Sequence, residues 1–355
     1  MRARDWVVRG VLISLAAASF GSPEVARACG GFFMRSQMHK PSLAHEQVLL
    51  IHDADKSLEH FIRAVSFREA TEPFGFVVPT PSRPDVEKVT ESPFIHLGHE
   101  FRFDPPPKEE PRSEGFGAGH GRLGGAAQVQ VLETKAVGSF TAFVLAATDP
   151  SALTDWLTKN ELTQTPESGA WLEHYVRLGF YFVALRYEPK PARADAGPPP
   201  AERPVKAETI RISFSTPFPF YPYLEPAPAA GAPVGGGDRV LDLWFAGARD
   251  VVPVALAERR GTPPGQAGWI RPLREGQRFD TAAEGLTAVL PKELAPLVPA
   301  GVRVVQTFQD QKHARVGLGD ILFVPRKETP LTPEQQKMAA PLLALLDTAL
   351  LPEKQ

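Results

Sequence analysis

Residues 139–187 read SFTAFVLAATDPSALTDWLTKNELTQTPESGAWLEHYVRLGFYFVALRY. Two short apolar runs, 139–146 and 180–187, bracket two helix-like stretches. The first run stops at Asp149-Pro150. An aspartate there can cap the orphan amides of a helix, and proline fits its first turn. Leu153, Trp156 and Leu157 then fall on one helical face. Thr165-Pro166-Glu167 opens a second helix, with Trp171, Tyr175 and Leu178 at helical spacing and Gly179 as its stop. The run that follows is apolar throughout and reads as a buried strand.

Outward from this unit the chain shows more short runs bounded by Gly and Pro. Residues 47–51 (QVLLI), 61–67 (FIRAVSF), 74–78 (FGFVV) and 129–132 precede it; 210–214, 240–245, 303–308 and 321–324 follow. Many short strands with few helices predict an α+β protein with largely antiparallel sheets.

Proline, at 37 residues, is the compositional outlier. Much of it sits in 104–126, 189–206 and 225–238, segments too poor in apolar side chains to offset chain entropy, which therefore read as loops or linkers. Gly115, Gly117, Gly119 and Gly121 alternate within the first. A dinucleotide-binding loop follows a buried strand and opens a helix; this one follows Lys108-Glu109-Glu110 and is read as a loop. The expected organisation is a signal peptide (1–28), an N-terminal α+β subdomain (29–188), a Pro-rich linker (189–206), a mainly β subdomain (207–330) and a C-terminal helix (331–355).

The N-terminus predicts export. Arg2, Arg4 and Arg9 outweigh Asp5, residues 11–20 (VLISLAAASF) are apolar but too short to span a bilayer, and Gly21, Ser22 and Pro23 break the run. Ala26-Arg27-Ala28 offers small side chains where a signal peptidase reads, so cleavage between Ala28 and Cys29 is expected. No twin-arginine pair is present. Cys29 is the single cysteine, so no intrachain disulfide can form. A lipid anchor on Cys29 is the lesser alternative, because Ala28 suits a lipobox whereas Ala26 and Arg27 do not. The formal net charge of −2, slightly more negative without residues 1–28, offers no electrostatic reason to expect nucleic acid as a partner. No membrane span is expected in the mature chain.

Several blocks, in this order, resemble a bacterial family. These are Ala28-Cys29-Gly30-Gly31-Phe32-Phe33 after the signal, a strand near Gln47, and Phe74-Gly75-Phe76-Val77-Val78-Pro79-Thr80-Pro81. Asp155-Trp156-Leu157 with Asn160, Tyr175-Val176 leading to Gly179 and Phe182-Val183-Ala184, and Phe214 with Tyr221-Pro222 follow. The chain is similar, from Cys29 to near Val324, to the exported family of domain of unknown function 2330. The resemblance implies export and one fold through most of the chain, and it supplies no reaction. Family members often carry a second cysteine after the Phe-Phe pair; Met34 stands there in this chain.

Candidate chemistry is sparse. His96-Leu97-Gly98-His99-Glu100 sets two imidazoles three apart beside a carboxylate, so His96, His99 and Glu100 are candidate metal ligands. The order is not H-E-x-x-H, and Gly98 weakens the helix that would align them; a surface turn is the plainer reading. His39, His45, His52 and His60 show no regular spacing and read as packed or solvated. No G-x-S-x-G occurs. Phe218, Phe220, Tyr221 and Tyr223 interleave with Pro217, Pro219 and Pro222. Stiff aromatics on extended chain suit partner or glycan binding, and equally suit capping a core after strand 210–214.

Thr332-Pro333-Glu334-Gln335 is a capping box, and Pro341 should kink or restart the helix that follows. Leu342, Leu345, Leu346, Ala349 and Leu350 recur with helical period and should dock on the body. No cofactor motif appears and none is expected. The expected function is a non-catalytic binding or structural role in the cell envelope, with an envelope protein or a glycan as partner. The alternatives are an exported hydrolase of unrecognised site and a metal-binding module.

Overall fold

The computed structural model describes residues 31–34, 42–68, 73–104, 129–138, 140–162, 165–187, 205–206, 208–226, 240–258, 267–310, 319–327 and 331–344. Ala28, Cys29 and most of the three Gly/Pro-rich segments lie outside them. In chain order the first half supplies β1 (Gly31–Met34), β2 (Ser42–Asp53), β3 (Leu58–Arg68), β4 (Phe74–Thr80), β5 (Asp85–Lys88), α1 (Phe94–Glu100), β6 (Val129–Val137), β7 (Phe140–Ala147), α2 (Pro150–Lys159), α3 (Pro166–Arg177) and β8 (Tyr181–Tyr187). The second half supplies β9 (Val205–Lys206), β10 (Ile210–Ser215), β11 (Phe220–Tyr221), β12 (Val240–Gly247), β13 (Val251–Glu258), β14 (Ala267–Ile270), β15 (Arg274–Asp280), α4 (Ala283–Val289), β16 (Val304–Asp310), β17 (Ile321–Pro325) and α5 (Pro333–Ala344).

The protein is α+β, with mostly antiparallel strands in three sheets. A five-stranded sheet runs β1-β4-β8-β7-β6, and a four-stranded sheet runs β11-β17-β13-β14. The third and largest, of eight strands, runs β15-β16-β12-β2-β3-β10-β5, with β9 added on β3. Among the described residues β2 and β12 form the only parallel pair.

The eight-stranded sheet takes strands from both of the stretches expected as subdomains. Each half of the chain builds one sheet of its own, but β2, β3 and β5 interleave with β10, β12, β15 and β16 in the third. The β2–β3 hairpin alone would expose two unpaired edges; β12 and β10 satisfy them. One large apolar core accordingly joins Val48 and Phe61 to Leu243 and Phe323.

The helices at 150–177 form as their sequence predicts. Asp149 accepts from the Ser151 and Ala152 amides, Thr165 and Ser168 make a reciprocal box, and Gly179 takes φ +71°. Leu153, Leu157, Trp171, Leu172 and Tyr175 are buried. Gly75, within the FGFVVPTP block, shows why that position is bare: a Cβ there would lie 2.5 Å from Leu162 Cδ2, in the connection between α2 and α3.

Two strands contain proline in their interior. Pro79 extends β4 beyond the last residue paired with β1, and Pro253 of β13 precedes the stretch paired with β14. Each proline therefore sits where one neighbour is missing and a lost amide donor is tolerated.

At the C-terminus the capping box closes, with the Gln335 amide donating to Thr332 Oγ1 (3.2 Å) and the Thr332 amide to Gln335 Oε1 (3.0 Å). Gln335 Nε2 also donates to Ala54 O (3.2 Å) and Ser57 Oγ (3.1 Å), tying α5 to the β2–β3 turn. The helix is unbroken across Pro341, so the expected restart there does not occur. Ala339 and Leu342 are fully buried; Leu345, Leu346, Ala349 and Leu350 lie outside the described residues.

Candidate functional site

On β10, Ile210, Ile212 and Phe214 enter the large core, which leaves Arg211, Ser213 and Ser215 on the opposite face. The register then sets His60 of β3 opposite Ser213, and Ser213 opposite Asp85 of β5. His60 Nδ1 and Ser213 Oγ share a hydrogen bond of 2.8 Å, and Arg211 Nη2 donates to Asp85 Oδ2 at 3.0 Å. Beside this row lies an open depression of about 400 Å³, lined in part by Arg83, Pro84, Asp85, Glu133, Ser213 and Ser215. Nearby, Lys135 of β6 has its Nζ 2.6 Å from Glu87 Oε1 of β5, and so clamps the edge of the five-stranded sheet to the edge of the eight-stranded one.

A histidine touching a serine hydroxyl has the form of a base and its nucleophile. The electrostatics argue otherwise. Burial, then the Arg211 charge, lowers the His60 pKa to about 4. Such an imidazole is neutral at neutral pH but too weakly basic to serve well as a general base there. The contact works as a cross-strand hydrogen bond between two buried polar groups.

A second polar cluster lies inside the molecule. Asp320 precedes β17 and is buried. Its Oδ1 accepts from the Tyr223 (2.7 Å) and Leu224 (2.9 Å) amides, and its Oδ2 from Tyr175 Oη (2.7 Å). Burial raises its pKa to about 7 against the opposing pull of these donors. Tyr223 Oη donates to Asp310 Oδ2 (2.6 Å), and Trp171 Nε1 to Leu224 O (2.8 Å). Glu59, on β3, accepts from the Phe220 amide at 2.7 Å, and burial pushes its carboxyl well above the usual carboxylate range.

The candidates from the sequence are not brought together. Phe220, Tyr221 and Tyr223 are fully buried, so the aromatic run caps the core and is not an open binding surface; Phe218 is half-buried. His96, His99 and Glu100 are exposed on α1, where only Phe94 and Leu97 turn inward. Among the described residues no group of three or more His, Cys, Asp or Glu is placed to hold a metal ion. His45 Nε2 lies 2.8 Å from Asp242 Oδ2, and His52 Nε2 donates to Thr216 O at 3.1 Å. His39 lies outside the described residues. Alternation along IRISFS already marks Arg211, Ser213 and Ser215 as one face. No local signal links Ser213 to His60, 153 residues away, or Asp320 to Tyr175.

Residues 23–223, more than half of the chain, match the family model described as uncharacterized protein conserved in bacteria (DUF2330). No curated protein matches the chain. Among solved structures, that titled crystal structure of baculovirus P35 is similar at 6% identity and a TM-score of 0.35, covering 80% of this chain and 97% of its own. That distance carries no argument about fold or function.

Proposed function

Because the chain belongs to the uncharacterised bacterial DUF2330 family, whose description names no reaction, we propose from its own residues an exported cell-envelope protein that works by binding a partner. The observation that carries the binding reading is the open, mixed-charge depression where two sheet edges meet, with exposed Arg83 beside Asp85, Glu133 and the hydroxyl-bearing face of β10. An open trough of alternating charge suits a segment of another envelope protein or a glycan. Export rests on the basic, apolar and small-residue succession of residues 1–28. Among the described residues no helix is long and apolar enough to cross a membrane.

A photo-crosslinker placed at Arg83, with one at Ile95 on α1 as control, tests the reading in intact cells. A specific adduct from position 83 and none from 95 supports it; equal labelling at both overturns it. Intact-mass analysis of the exported protein tests processing after Ala28, and a mass beginning at Met1 would refute export. The hydrolase reading keeps one favouring observation, the 2.8 Å His60–Ser213 contact. Turnover of an ester, peptide or glycan that is lost in Ser213→Ala would replace binding with catalysis.

A further inference from the structure

We infer that β6 is a docking edge: an extended segment of a partner protein adds to it as a further strand, and an acidic side chain of that segment meets Arg83. The inference rests on the binding reading above and narrows it to a peptide, because a glycan has no row of amides and carbonyls to pair with a strand.

β6 is an edge of the five-stranded sheet and pairs with β7 alone. At nine residues it is the longest edge strand among the described residues, and only its last residue, Val137, is buried. Every second residue of such a strand turns its amide and carbonyl outward. Among the described residues β7 is the only element whose backbone bonds to it. Natural edges are guarded by outward charges and by bulges. β15, the next longest at seven residues, carries Arg274, Glu275, Arg278 and Asp280. In β6 the one lysine, Lys135, is turned across to Glu87 of β5, and the bulge between Val131 and Glu133 leaves Glu133–Val137 in regular register with β7. Val131, beyond the bulge, is 42% exposed; among the described residues it and Ile95 are the large apolar side chains left in solvent. A free ladder with apolar surface at its end suits strand addition.

The depression supplies the second contact. Glu133 of β6 lines it together with Arg83 and Asp85, so alternate side chains of a strand laid along β6 reach into it. Most of the charges there already have partners. Arg211 Nη2 lies 3.0 Å from Asp85 Oδ2, and Lys135 Nζ lies 2.6 Å from Glu87 Oε1 and 3.8 Å from Glu133 Oε1. Arg83 is exposed and among the described residues has no carboxylate beside it. The charge left unmatched is therefore positive, and a guanidinium fork takes a carboxylate through two parallel hydrogen bonds.

Panning a phage library of random linear peptides on the purified protein tests the inference. The selected peptides should share an Asp or Glu. Made synthetically and added at about ten times their Kd, they should slow hydrogen exchange of the outward amides of residues 129–137 by about ten-fold. Arg83→Glu, a change at an exposed position, should weaken them by about five-fold or more, and panning on that variant should select Lys or Arg in place of the acid. Peptides that bind and leave exchange in β6 unaltered overturn the inference, as do peptides that bind Arg83→Glu equally well. If no peptide is selected while the crosslinker at position 83 still gives its specific adduct, strand addition is refuted and the binding reading stands. Loss of that adduct as well refutes both.

Discussion

The two faces of the eight-stranded sheet bury their side chains differently. Toward the other two sheets, β2 and β3 turn in not only Val48, Leu50 and Phe61 but Glu46, Glu59, His52 and Arg63, all buried. Arg63 Nε lies 2.6 Å from Glu46 Oε1, and its guanidinium sits 4.9 Å from the Phe76 ring centroid. The face beneath α1 and α4 has a dry centre of Leu49, Ile51, Ile62, Trp244, Ala246 and Val305. Its polar groups stand at the ends, as His45 with Asp242 and His60 with Ser213. The difference follows from what covers each face. A helix satisfies its own backbone, so α1 brings Phe94 and Leu97 and requires little more than apolar contact. On the other face the core meets irregular chain around 216–226, whose amides need acceptors, and Glu59 and Asp320 supply them.

The largest test of this contrast is Arg63→Ala. It leaves Glu46 charged and unpaired in the interior and should destabilise the fold by about 3–5 kcal/mol, whereas replacing both partners with Leu and Met should be near neutral. Urea unfolding of the two variants decides, and a tolerated Arg63→Ala would show that the ion pair is not needed. On the dry face, Leu97→Ala should cost about 2–5 kcal/mol from cavity formation alone, with the same loss at pH 5 and pH 8. A loss that changes with pH would mean that titrating groups reach this centre. Gly75→Ala drives a methyl into Leu162 and should cost about 1–3 kcal/mol by overpacking; an unchanged melt would show that the α2–α3 connection yields freely.

The smallest effect is a slope. Burial lowers the pKa of His52, and those of His60 and His174 to about 4. Unfolded histidine takes its proton near pH 6.5, so the stability these rings contribute is lost as pH falls from about 6.5 toward 4. Asp320 acts in the opposite sense over nearly the same interval. Thermal melts of His60→Asn should therefore decline less in acid than those of the wild type, and a steeper decline would count against a neutral, buried His60.

Much of the fold was legible because its signals are local. Asp149, Thr165 and Gly179 carry helix boundaries in their own chemistry, and each of the short apolar runs became a strand. Thr332 and Gln335 likewise needed no distant partner to form their box, although Gln335 also grips the β2–β3 turn. Strands β13 and β15 were harder. Pro253 interrupts the apolar pattern of the first, and the second is a charged edge strand with a register shift between Glu275 and Arg278, features that protect an edge from unwanted pairing and also disguise it.

Most secondary elements and the family blocks can be read from residue order, since each depends on residues within a turn or two of one another. That the two halves share a sheet emerges only in three dimensions, because parallel pairing of β2 with β12 joins residues almost two hundred positions apart. The tertiary structure also decided the fate of the aromatic run. Phe220, Tyr221 and Tyr223 have the composition of a binding surface, and their burial follows from acceptors on β3 and before β17 that take up their amides. Whether a polar group is a site or a support depends on what lies across the interior from it, and that distance is not written in the order of the residues.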